Sequence, residues 1–437
     1  MQTTTRREFL KQTGKVTVTG AALAVGPSLG VAGANDKLVL GVIGPGGMGT
    51  HLLDSFVRQS DVEIAWVCDP DRQRLDKARA TVESVGGKAP RADKDLRRVL
   101  EDKSVDAVII ATPDHWHAPA TILACQAGKH VYVEKPCAHN IREGRLMVEA
   151  ARRHRRVVQV GTQTRSTEHA LQAVKRLREG AIGEVLVAKA WNSQLRRSIG
   201  RAKPAPPPDY LDFDLWLGPA PEVPYQSNLL PGIWRWWHAF GTGDMGNDGV
   251  HDLDIARWGL GVDTHPIKAT AIGGKYFFDD DQQFPDTQYV VFEYPGSGSR
   301  RKQLIYEQRL WSPYVQEGHE NGNAFYGTEG VMILGKAGGW QLFGPRNLLK
   351  DSMTGKPDST AHHRNFLECI RNGQKPNADI EIAHHSAALC HLGNIATRLG
   401  RALQFDPAAE QILGDAEANV LVRRQYRQGH WAVPPGA

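Results

Sequence analysis

Lys37-Leu-Val-Leu-Gly-Val-Ile-Gly44-Pro-Gly46-Gly47-Met48-Gly49 is the stretch that decides the fold of this chain. The apolar run from Leu38 to Ile43 has strand length. The glycines that follow are spaced G-x-G-x-x-G. Beyond them Leu52, Leu53, Phe56 and Val57 recur at helical spacing. Strand, glycine turn and helix in that order predict a parallel α/β unit with a phosphate-binding turn. Gly44 permits the tight turn, Gly46 lets a pyrophosphate approach the backbone, and Gly49 lets the helix pack on the strand. Gly47 and Met48 lie at the helix start, where unpaired N–H groups face an anion.

The next strand, Val62 to Cys68, ends at Asp69. A carboxylate at this position accepts the ribose hydroxyls of a dinucleotide and repels a 2′-phosphate, which favours NAD over NADP. Arg72 and Arg74 follow closely and keep NADP open. Strands and helices then alternate to residue 160: Asp106–Thr112, helix 119–127, His130–Val133, helix 143–153, Val157–Val160. Such alternation predicts a doubly wound parallel sheet. Ligands bind beyond the carboxyl ends of its strands. Thr112, Pro113 and His117 lie at one such end, Glu134 and Lys135 at a second, and Gln163 at a third.

After residue 161 the pattern changes. Strand-like runs at 184–191, 267–278, 287–294, 303–310 and 331–334 are joined by short turns, with helices at 169–178, 362–372 and 383–399. The reading is α/β throughout: a Rossmann domain over 35–160 and a C-terminal α/β domain with an open, mostly antiparallel sheet over 161–437.

Residues 1–34 read as an export signal. Arg6-Arg7-Glu8-Phe9-Leu10-Lys11 has the form of a twin-arginine translocation address, and Ala32-Gly33-Ala34 offers a cleavage site. The apolar stretch between them is broken by Gly20 and Gly26, and a membrane span needs about 20 apolar residues. The expectation is a periplasmic protein without a stable membrane anchor, exported already folded. Five cysteines, widely spaced and without C-x-x-C, give no disulfide framework. A formal net charge of +5 without a long basic run leaves no nucleic-acid footprint.

Three motifs together carry a family resemblance. The glycine-turn strand, Glu134-Lys135-Pro136, and Gly241-Thr-Gly-Asp-Met-Gly-Asn247-Asp-Gly-Val-His251-Asp-Leu-Asp254 resemble the Gfo/Idh/MocA oxidoreductases. The resemblance covers 35–437. The twin-arginine signal and Asp214-Leu-Trp-Leu-Gly-Pro219 resemble the family's exported branch. It implies oxidation of a sugar or cyclic-polyol hydroxyl by a tightly held NAD(P), in a homo-oligomer, dimer or tetramer. Lys135 would hold the hydroxyl and stabilise the developing alkoxide. His251 would take the O–H proton. Relatives commonly carry an aspartate four residues before the histidine; here that residue is Asn247, with Asp244 and Asp248 as possible substitutes. Related chains also include NAD-dependent glycosidases that oxidise a ring carbon transiently, eliminate, and return the hydride. A sugar-binding module that lost activity is the third reading.

Trp236 and Trp237, within Trp234-Arg-Trp-Trp-His238, offer aromatic faces for a sugar, and a plain hydrophobic core is an equal reading for some of these residues. Gln163, Arg165, Asn192 and Asp254 are further substrate-site candidates, Asp254 as an orienting group or a helix cap. His115/His117 and His251/Asp252/Asp254 match no zinc pattern, so no metal is expected.

Overall fold

The computed structural model describes residues 37–296, 298–312 and 314–437; the export signal read in residues 1–34 lies outside the described residues. The chain runs β1 (Leu38–Ile43), α1 (Gly47–Val57), β2 (Val62–Cys68), α2 (Arg72–Ser84), β3 (Arg91–Asp93), α3 (Leu96–Glu101) and β4 (Ala107–Ile110). It continues through α4 (Asp114–Gln126), β5 (His130–Val133), α5 (Ile141–Arg153) and β6 (Val158–Val160). These six strands form one parallel sheet in the order β3-β2-β1-β4-β5-β6. Strand order reverses between β1 and β4, which places a ligand crevice at the carboxyl ends of those two strands. Leu40, Val42, Ile109 and Tyr132 are fully buried, as expected of a sheet covered on both faces.

The second sheet has ten strands. It is built from β7 (Val185–Asn192), β8 (Lys268–Gly274), β9 (Thr287–Pro295), β10 (Arg301–Arg309), β11 (Asn321–Gly327), β12 (Val331–Gly335), β13 (Gly339–Phe343), β14 (Leu349–Met353), β15 (Leu403–Asp406) and β16 (Gln411–Ile412). Its order is β14-β13-β12-β11-β7-β10-β9-β8-β15-β16. All pairings are antiparallel except β7 with β10. Strand β8 stops at Gly274, short of the predicted Phe278. The Asp286 carboxylate accepts the N–H groups of Tyr276, Phe277 and Phe278, which removes them from the ladder.

The helices of the second part are α6 (Glu168–Arg178), α7 (Phe213–Leu217), α8 (Val250–Leu260), α9 (Ser359–Asn372), α10 (Ile380–Leu399) and α11 (Ala416–Leu421). Helices α9 and α10 return to the first sheet. Phe366 and Leu367 share a core with Phe56 and Tyr132. Ile380, Ala383 and Ala387 share another with Val131, Val133 and Met147. The carboxyl end of the chain therefore ties the two sheets together. Among the described residues no helix is long and apolar enough to cross a membrane.

Candidate active site

The glycine turn is shaped as the motif requires. Gly44 has φ +82°, and a Cβ there would lie 2.8 Å from the Thr112 nitrogen. A Cβ on Gly49 would overlap the Gly44 carbonyl oxygen. Either side chain would push α1 away from β4. Helix α1 has no side-chain cap, so its first N–H groups are open to an anion. Met48 is exposed and offers only its backbone there. The Arg74 guanidinium lies beside Gly46.

Asp69 directly follows β2 and is buried; it accepts the Asp71 N–H at 2.9 Å. Burial raises its carboxyl to about 6. A cleft runs from Gly44 and Asp69 past Thr112 and Pro113, and Trp216 and Trp431 wall it. Thr112 Oγ1 is buried there without a partner. A glycine cradle, a ribose-type carboxylate and an orphaned hydroxyl fit the nucleotide that the motif predicts. Protonation of Asp69 turns one of its acceptor oxygens into an O–H and removes the charge that strengthens its bonds to the ribose hydroxyls. Nucleotide affinity is therefore expected to fall by about tenfold as pH drops through about 6, an acceptor bond to a charged group being worth about 1.5–3 kcal/mol. Fluorescence titration of NAD across that range checks this, and Asp69→Asn should flatten the profile.

The chemistry-bearing residues gather where β5 meets the start of α8. Lys135 follows β5, and its peptide bond to Pro136 is cis. Its Nζ donates to the Asn247 carbonyl at 2.7 Å and lies 3.5 Å from Asn247 Oδ1. Asn247 sits in a π-turn, Met245–Gly249, that leads directly into α8 and His251. A Cβ on Gly249 would strike the Tyr306 hydroxyl, so a glycine lets this turn press onto β10. The Asn247 amide donates to Asp244 Oδ1 at 2.9 Å, and Asn192 donates to Asp244 Oδ2 at 2.8 Å.

Asp248 lies three residues before His251, within the same π-turn as Asn247. Lys336 holds it at 2.7 Å and Arg196 at 3.2 Å, and these cations keep it ionised well below the usual carboxylate range. Arg196 also reaches Asp244 at 2.9 Å. His251 is buried, and its Nδ1 has no partner. Burial and the nearby Lys336 and Lys135 hold its imidazole well below 6.5, hence neutral. Asp252, bonded by Asn321 at 2.9 Å, is pushed up to about 8 by burial. Glu134 is raised to about 7 by burial behind Lys135; its carboxylate receives the Gln163 amide at 3.4 Å. A Cβ on Gly161 would lie 2.5 Å from that carboxylate.

Several predicted site residues are elsewhere. His117 is buried, with Nδ1 2.7 Å from the Pro136 carbonyl and Nε2 2.8 Å from the Thr112 carbonyl. It braces two strand ends and has no nitrogen left for a nucleotide. Arg165 and Asp254 form a buried two-bond ion pair, 2.6 and 2.9 Å, rather than facing a substrate. Trp236 is buried among Phe278, Phe284 and Leu310 and serves as core. Trp237 is half-buried and donates to the Asn228 carbonyl at 3.2 Å. Gln163, Lys135 and Asn247 are half-buried and remain at the cluster.

The sequence alone does not point to Lys336 and Arg196. Lys336 lies in the β12–β13 hairpin, far along the chain, with no local motif to mark it. One group of metal-ligand type occurs among the described residues, His265, His384 and Glu410. Glu410 Oε1 there accepts both imidazoles, at 2.8 and 2.7 Å, and also Arg145 at 2.7 Å, so the carboxylate is already satisfied.

Residues 38–162 match the GFO_IDH_MocA family, described as an oxidoreductase family with an NAD-binding Rossmann fold. Residues 190–292 and 344–433 match the family's C-terminal alpha/beta domain. Among curated proteins, a glycosyl hydrolase family 109 protein of Shewanella sp. (strain W3-18-1) is 29% identical over 206 residues, 42% of this chain and 45% of that protein. An alpha-N-acetylgalactosaminidase of Shewanella oneidensis is 29% identical over 208 residues, with the same shares. The match thus spans less than half the length of these relatives. The aldose-aldose oxidoreductase of Caulobacter crescentus, solved with glycerol, superposes with a TM-score of 0.65 at 19% identity, over 84% of this chain and 100% of that one. Levoglucosan dehydrogenase, solved with NADH and levoglucosan, gives 0.65 at 18% identity over 84% and 99%. With both of its domains matched in order behind the glycine cradle, the chain belongs to the Gfo/Idh/MocA oxidoreductase family, with an NAD-binding Rossmann domain and that family's C-terminal domain.

Proposed function

We propose that the protein oxidises a hydroxyl of a sugar or cyclic polyol with a nucleotide it retains between turnovers. The observation that carries this reading is the environment of Lys135. Its ammonium makes no ion pair among the described residues and is held by one carbonyl, beside a neutral imidazole and a carboxylate already committed to other cations. Such an ammonium is free to polarise a hydroxyl and to receive the charge of the alkoxide. His251 accepts the proton through its bare nitrogen. Asp248 stabilises the imidazolium that results, taking over from the carboxylate that Asn247 lacks. NAD, when bound, supplies the hydride acceptor.

Retention is supported by the walls of the nucleotide cavity. Trp216 and Trp431 come from segments outside the Rossmann strands. Trp431 is clamped by Arg97, whose guanidinium lies 4.3 Å from its ring. Trp431→Ala is expected to speed nucleotide loss by about tenfold, read as NAD remaining after repeated gel filtration. A retained nucleotide suits a protein exported folded, as Arg6 and Arg7 propose, because free NAD is scarce outside the cytoplasm. The exposed Ile272, Tyr276, Phe277 and Tyr289, on β8, the turn after it and β9, support a homo-oligomer.

The names of the curated relatives favour a second reading, transient oxidation followed by glycosidic cleavage with no net redox change. A panel of free sugars and glycosides, scored for products and reduced nicotinamide, separates the two. A lasting rise in reduced nicotinamide supports net oxidation. Cleavage without such a rise supports the glycosidase. Bound nucleotide with neither outcome identifies a binding module.

A further inference from the structure

A second cavity, of about 470 Å³, opens beside the segment that leads to His251. It shares Gly241 and Thr242 with that segment, but Lys135, Asn247, Asp248 and His251 do not line it. His139, His238, His391, Arg398, Arg423 and Arg424 do, and no Asp or Glu is among its lining residues. Arg398 and Arg423 are exposed and make no ion pair among the described residues. Arg424 spends Nε on Glu143 and Nη2 on Glu143 and the His115 carbonyl, yet its Nη1 is buried without an acceptor.

The neutral polar groups are also mismatched. His139 donates Nε2–H to the His238 carbonyl at 2.9 Å. That bond fixes its tautomer and leaves Nδ1 a lone-pair acceptor, buried and unpartnered. The Nε2 of His391 is likewise buried and unpartnered, as is the Asn140 amide nitrogen. Buried polar groups are nearly always bonded. Water would satisfy these atoms, but it would not neutralise the arginines.

We propose that this cavity binds a polyhydroxylated anion, a sugar acid or sugar phosphate, at a site separate from the one that holds Lys135. The oxyanion pairs with Arg398 and Arg423, since guanidinium groups hold carboxylate and phosphate with two parallel bonds. The ligand's hydroxyls donate to the imidazole nitrogens and accept from Asn140 and Arg424. The imidazoles are acceptors near neutral pH because burial pushes His238 down to about 4 and His391 to about 3. This assignment does not depend on which reaction Lys135 performs.

The test is calorimetric titration of the full protein with NAD saturating, so that the nucleotide's own phosphate site is filled. D-gluconate, glucose 6-phosphate, inorganic phosphate and glucose are the probes. The first two separate the sugar acid from the sugar phosphate. One of them is expected to bind at one site per chain, about tenfold more tightly than inorganic phosphate or glucose. Arg398→Gln with Arg423→Gln, both exposed positions, should weaken that binding about tenfold or more while the melting temperature stays unchanged. Absence of binding by both sugar anions would overturn the proposal. So would binding that the double variant leaves intact, or inorganic phosphate binding as tightly as either.

Discussion

Replacing Lys135 by alanine is expected to lower kcat by about a thousandfold while leaving the nucleotide content of the purified protein unchanged. The size follows from its role: one preorganised charge on a developing oxyanion is worth about 10²–10³ in rate, and the lost proton-handling partner adds to it. Unchanged nucleotide content follows from the geometry. Among the described residues the Lys135 ammonium bonds only to Asn247, and the cradle of Gly44, Gly49 and Asp69 lies at other strands. Lys135→Arg keeps the charge on a longer, planar head and should recover only part of the rate. Rapid-quench turnover together with mass spectrometry of bound nucleotide reads both halves. Full activity in Lys135→Ala would remove this residue from the mechanism.

The second large effect is on stability. Asp254→Ala is expected to cost about 3–5 kcal/mol, because it strands a buried guanidinium. Arg165 has its Nε and one terminal nitrogen on this carboxylate, and its guanidinium lies 4.8 Å from the ring of Trp258. Ser386 Oγ donates to the same carboxylate at 2.6 Å and receives Arg257 Nε at 3.1 Å. Removing Asp254 leaves two buried arginines facing each other without their shared anion. Urea unfolding measures the loss. The protein that remains folded at low temperature should keep its KM, since the pair faces the interior. A variant as stable as the parent but with raised KM would return Asp254 to the substrate cleft.

The parallel sheet was legible because each of its signals is local. Apolar strand, glycine turn, helix and Asp69 follow one another within about thirty residues, the span of a βαβ unit. Much of the second sheet was not. Strand β11 carries Gly322 and Gly327, whose missing side chains let the Trp191 ring and the Ile182 backbone approach, and this hides its alternation. The apolar run to Phe278 overstates β8 because the strand's end at Gly274 is set by a side chain, Asp286, twelve residues further on.

The site divides the same way. Glu134-Lys135 and the segment to His251 announce themselves as motifs. Lys336 and Arg196 do not, since they reach Asp248 from a hairpin and from the residues after β7. His117, Arg165 and Asp254 sit at positions from which they reach neighbouring elements, and sequence alone does not say that each is consumed by another part of the protein. Trp236 and Trp237 are alike in sequence; packing shows that Trp236 is fully within a core and that Trp237 packs against the same core while staying partly exposed.

The most direct measurement is a single-turnover assay on the purified protein with no nucleotide added. Candidate sugars and glycosides are mixed with it while reduced nicotinamide and products are followed together. Net oxidation by a retained nucleotide predicts a stoichiometric, lasting rise in reduced nicotinamide with one sugar or polyol, lost in Lys135→Ala. A protein that carries nucleotide yet shows no rise with any of them, while cleaving a glycoside, would contradict it.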